Sequence, residues 1–91
     1  MIIPTIHLND TPGVRLLEQV CDAANAVSNA LGNLCESTPN ARDYYPQGNE
    51  AFYKARDEHD ARCAKLREVR DELRTLAEEI SNAIDAREGA E

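Results

Sequence analysis

Residues 63–84 read Cys63-Ala64-Lys65-Leu66-Arg67-Glu68-Val69-Arg70-Asp71-Glu72-Leu73-Arg74-Thr75-Leu76-Ala77-Glu78-Glu79-Ile80-Ser81-Asn82-Ala83-Ile84. Leu66, Val69, Leu73, Leu76, Ile80 and Ala83 recur at alternating spacings of three and four, which draws one apolar stripe along a helix. Upstream, Phe52, Ala55 and His59 extend the stripe, and Cys63, Ala77 and Ile84 flank it. The charge pairs Glu50–Lys54, Glu58–Arg62, Arg67–Asp71 and Arg74–Glu78 sit one turn apart and reinforce the same assignment. The pattern predicts a helix over about 50–86, ending before Gly89 and a frayed tail.

Working outward, Leu17, Val20, Ala24, Val27, Leu31 and Leu34 carry the same period, with Cys21 and Cys35 beside them. Thr11-Pro12-Gly13 precedes them as an N-cap and a proline at the first helical position. A second helix over about 12–36 follows. Between the two, residues 37–49 hold Pro39, Pro46 and Gly48 and read as a loop, with Asn49 as the N-cap of the long helix. Residues 1–10 read as an extended arm, since Pro4 interrupts an alternation of Ile2, Ile6 and Leu8. The fold class is therefore all-α: a single domain over 1–91, an antiparallel helical hairpin with an extended N-terminal arm.

A hairpin closed tightly at the loop sets residue i of the first helix opposite about residue 85 − i of the second. Arg15 then lies near Arg70, Cys21 lies near Cys63, and the helix beyond Leu73 overhangs its partner. Leu76, Ile80 and Ile84 continue the apolar stripe into that overhang, so they are the expected oligomer interface of a homo-oligomeric bundle. The arm, laid over them as a third layer, is the alternative cover. Of the 91 residues only 17 are Ile, Leu or Val, a thin core that also favours association.

Ten Lys and Arg against 17 Asp and Glu leave a net charge of −7, which disfavours direct coating of nucleic acid. No apolar run approaches the ~20 residues needed to cross a bilayer. Met1 to Leu8 lack the basic and apolar regions of a secretory signal, and the 3 cysteines show no CxxC spacing, so reduced thiols and a cytoplasmic location are expected. His59, Cys63 and Cys21 resemble three metal ligands without a fourth, and core thiols with a hydrogen-bonded histidine account for them better. No serine elbow, nucleophile–base pair or glycine-rich phosphate loop is present, which points to a non-enzymatic protein without a cofactor.

The loop gathers the residues best suited to a ligand. Arg42 offers a fork for an anion, Tyr44 and Tyr45 offer ring faces, and Gln47 and Gly48 lead into the free amides of a helix start. His7 and Asn9 from the arm are candidates to complete this nucleotide-like site. The plainer account makes the tyrosines a hydrophobic cap, with Arg42 paired to Asp43 or Glu36.

Thr5-Ile6-His7-Leu8-Asn9, Pro39-Asn40-Ala41-Arg42-Asp43-Tyr44-Tyr45-Pro46-Gln47-Gly48 and Glu58-His59 resemble a group of small phage and prophage proteins that read TIHLNGT, PNGRDYYPQG and EH. Asp10 and Ala41 depart from that pattern, which has glycine there. The resemblance implies a phage setting, where small helical accessory proteins often block host defence. Sequestering a nucleotide immune signal is one such route. Binding a host defence protein through the acidic second helix is another, and a structural or morphogenetic role is a third.

Overall fold

The computed structural model describes residues 1–6 and 11–90. Helix α1 spans Gly13–Glu36, a single-turn helix α2 spans Ala41–Tyr44, a 3₁₀ turn follows at Tyr45–Gln47, and helix α3 spans Asn49–Ala90. No strand occurs among the described residues. The two long helices pack as an antiparallel hairpin, 67 Å in its longest dimension and 19 × 18 Å across. No helix among the described residues is long and apolar enough to cross a membrane.

Helix ends differ from expectation by small steps. Pro12, not Thr11, is the N-cap residue of α1, with its carbonyl accepting from Leu16 N at 3.1 Å and no side-chain cap. At the other end, the Ser37 and Thr38 hydroxyls donate to the carbonyls of Leu34 and Cys35 at 2.6 and 2.5 Å, satisfying groups that a helix C-terminus leaves open. Asn49 is the first residue of α3 rather than its cap, and α3 runs through Gly89 to Ala90.

The larger difference is register. Gly13 faces Ile84, Arg74 donates to Ser28 and Thr38 meets His59, so residue i of α1 sits opposite about residue 98 − i of α3. Relative to tight closure this slides α1 about 13 residues, or about 20 Å, along its partner. The cause is the connector. Instead of bridging the hairpin tip, α2 and the 3₁₀ turn lie back against the first turns of α3. The part of α3 that projects past α1 is therefore its beginning, near Phe52, and not its end.

That corrects the expected interface. Ile80 is completely buried within one chain and Ile84 is half-buried against Gly13 of α1, while Leu76 is half-buried at the flank of the seam. Gly13 makes the closest approach: a Cβ there would stand 2.8 Å from Ile84 Cγ1 and 3.1 Å from Ile6 Cγ2. Ile6 of the arm joins the same contact, and its carbonyl accepts from Arg87 Nη1 at 3.2 Å. The buried apolar set is short: Ala24, Leu31, Cys63 and Ile80.

Because Ile80 has no solvent contact, Ile80→Ala should cost about 2–5 kcal/mol, read from urea unfolding at fixed protein concentration. Gly13→Ala should also destabilise, since its new methyl must displace Ile84 and Ile6.

Candidate functional site

The connector is built from capping interactions. Asn40 is extended, with φ −111° and ψ 135°, and its side-chain oxygen accepts from Arg42 N at 3.0 Å to start α2. The same oxygen accepts from Arg42 Nε at 3.2 Å. One carbonyl thus holds both the backbone and the guanidinium of Arg42. Arg42 forms no ion pair with Asp43 or Glu36, both of which are described residues. Gly48 then takes φ 95°, a conformation side chains rarely adopt, and turns the chain into α3.

These local choices shape an open depression of about 410 Å³, lined by Ala41, Arg42, Tyr45, Gly48, Asn49 and Phe52. Its volume falls within the range of small-molecule sites. Tyr45 stands 84% exposed at its edge. Of the residues expected to bind a ligand, Arg42, Tyr45 and Gly48 come together here, while Gln47 is not among those that line the depression.

Tyr44 has a different job. Its ring sits 6.5 Å from that of Phe52, which in turn lies 5.7 Å from Tyr53, and the Arg56 guanidinium lies over the Tyr53 ring at 5.2 Å. Tyr44 is half-buried and fastens α2 to α3, so the capping account holds for one tyrosine and not for the other. Phe52 and Asn49 were not expected in the site. Phe52 shares the period of the α3 stripe, and only the connector's position shows that it meets Tyr44 instead of α1.

His7 and Asn9 lie outside the described residues. Their neighbour Ile6 is anchored beside Ile84, whereas the depression lies beside Phe52, about 48 Å away along α3. The arm as described therefore ends at the far pole of the rod from Arg42.

A second polar group lies just below the connector. His59 is 5% exposed, with Nε2 3.3 Å from Thr38 Oγ1 and 3.5 Å from Cys63 Sγ. Thr38 has already given its single hydroxyl proton to the Cys35 carbonyl, so it must accept from His59. That assigns the proton to Nε2, with Cys63 as a second, weaker acceptor. Cys35 is the cysteine neighbouring Cys63, and Cys21 lies exposed elsewhere on α1, a consequence of the shifted register. Cys21 is therefore not brought to His59 and Cys63 as tight closure implied, and no group of three or more metal-ligating side chains forms among the described residues.

Burial pushes the Cys63 thiol above its ordinary range, and neighbouring Cys35 adds to the effect. No protein-family model, curated protein or solved structure matches the chain.

The cysteines should separate chemically. Exposed Cys21 and Cys35 should alkylate first in the native protein, and Cys63 only on unfolding, as peptide mapping after timed iodoacetamide treatment would show. Since folding holds the Cys63 thiol protonated, its contribution to stability is complete below the ordinary thiol range and declines as pH rises above it. Urea midpoints measured across the alkaline range should fall more steeply in the native sequence than in Cys63→Ala.

Proposed function

We propose that this chain is a non-catalytic accessory protein that binds a small anionic, nucleotide-like ligand in the depression formed by its connector. The observation that carries the reading is the convergence of Arg42, Tyr45 and Gly48, three residues of complementary chemistry, around one open volume of about 410 Å³. Arg42 is held by Asn40 through Nε, which orients its remaining donors as a fork for a phosphate or carboxylate. Tyr45 presents an exposed ring face on which a base can stack. Glycine at position 48 lets a ligand approach the backbone amides that open α3.

The reading assigns Tyr45, the lining side chain that could act as an acid or base, to stacking, and so takes the site as one of capture and not turnover. The resemblance to small phage proteins fits a role in the host cytoplasm, with sequestration of a nucleotide signal as the physical act. An acidic surface that binds a host protein is the competing account. It rests on exposed Glu78, Glu79, Asp85 and Glu88 toward the far end of α3.

Thermal unfolding in the presence of mono-, di- and cyclic nucleotides separates the two. A bound ligand stabilises the fold by mass action, by about 2.7 kcal/mol at a hundredfold excess over Kd, and so raises the midpoint. Arg42→Ala and Tyr45→Ala should erase that rise while leaving the ligand-free midpoint nearly unchanged, because both side chains are exposed. Tyr44→Ala should instead lower the ligand-free midpoint. A panel with no shift for any nucleotide would overturn the reading.

A further inference from the structure

Two helices bury one stripe each, yet α1 carries two adjacent apolar rows. Ala24 and Leu31 face α3 and are buried; Leu16, Val20, Val27 and Leu34 lie along one flank of them and are only half-buried. Ala23 and Ala30 fill the gaps in that second row, and both are exposed. On α3, Val69 and Leu76 likewise flank the central seam, with Val69 43% exposed. The Arg74–Ser28 hydrogen bond fixes which side is which. Ser28, one turn from both Ala24 and Leu31, and Arg74, next after Leu73, lie on the opposite edge of the seam, so the two flanking rows share a single face of the hairpin. Of the described arm, Ile6 meets Ile84 and Gly13, while Met1 stands with Ala64, Arg67, Glu68, Asp71, Glu72 and Thr75, mainly on another side of α3 and bordering the face at Glu72.

We propose that this face binds a second copy of the chain, giving a twofold-symmetric four-helix bundle in which α3 crosses its counterpart antiparallel about Val69. Charge selects that occupant, and the exposed area of the rod leaves room for it. The chain exposes 6739 Å², against about 5,300 Å² for a compact monomer of 10.1 kDa. The excess is larger than the ~800 Å² per partner that a stable dimer buries. The α3 edge of the face bears Arg62 and Lys65 before Val69, and Glu72 and Glu79 after it.

About a twofold axis at Val69, Lys65 of each copy meets Glu72 of the other, and Arg62 approaches Glu79. Arg62 already bridges Glu58 within its own chain at 3.5 Å, so it stands between two carboxylates in the pair. A parallel arrangement would instead stack like on like at positions 65, 72 and 79. The corresponding edge of α1, Gln19, Ala26 and Asn33, is uncharged and gives these residues no partner, which sets α3 over α3 and α1 over α1. Ala23 and Ala30 permit the close approach that the second pairing needs.

Light scattering at tens of micromolar should give twice 10.1 kDa for the native chain. Val69→Glu places two carboxylates on the axis and should give a monomer whose helicity by circular dichroism is unchanged. Lys65→Glu and Glu72→Lys alter exposed side chains, so neither threatens the fold. Each alone should weaken the dimer several-fold, and the double reversal should restore it. A native monomer, a Val69→Glu chain that still pairs, or a double reversal that fails to restore pairing would each overturn the proposal.

Discussion

Ile80 is sealed from water because α1 begins opposite Ile84, and α1 begins there because the connector lies against α3 instead of spanning the hairpin tip. Tyr44 against Phe52 is one of the contacts that hold it. Register in turn governs which apolar residues of α3 find a partner within the chain. Slide α1 back by the length of the connector, and the carboxyl end of α3 would lie bare while the stripe near Phe52 would be covered twice. Gly13 serves the same end from the other pole, since only a residue without a side chain lets the start of α1 settle on Ile84 and Ile6.

The fold class was legible in the sequence because it depends on period alone. A three–four alternation sustained over many turns admits one secondary structure, and prolines with a glycine between two such stretches admit one topology. Register was not legible, because every seam residue looks alike in one dimension. Phe52 and Ile80 occupy equivalent points of the repeat, yet one meets the connector and the other meets α1. The sequence also contains no mark that Tyr44 and Tyr45, adjacent and identical, point to opposite duties. Consecutive residues at the end of a short helix project in different directions, and only the position of Phe52 decides which ring is buried.

The candidate site was read from residue type and survives in part for the same reason. Arg42 and Gly48 have few roles other than those the loop gives them, so their meeting with Tyr45 was foreseeable. The cluster of His59, Thr38 and Cys63 was only half visible. A histidine four residues before a cysteine announces a shared face, but its hydrogen-bond partner comes from the end of α1, which the true register alone supplies. There the buried imidazole is satisfied by a threonine whose own proton is spent on the backbone. The last turn of α1, the connector and α3 are thereby joined by polar contacts at the point where apolar burial runs out.

The rod is 67 Å long, with the Arg42 depression at one pole and the Ile6 anchor at the other. A small molecule spans only a fraction of that distance, so no single chain brings its two poles to one ligand. Anything gripped by both must be shared between molecules, and it would be shed when the protein itself is diluted, even with the ligand concentration held constant.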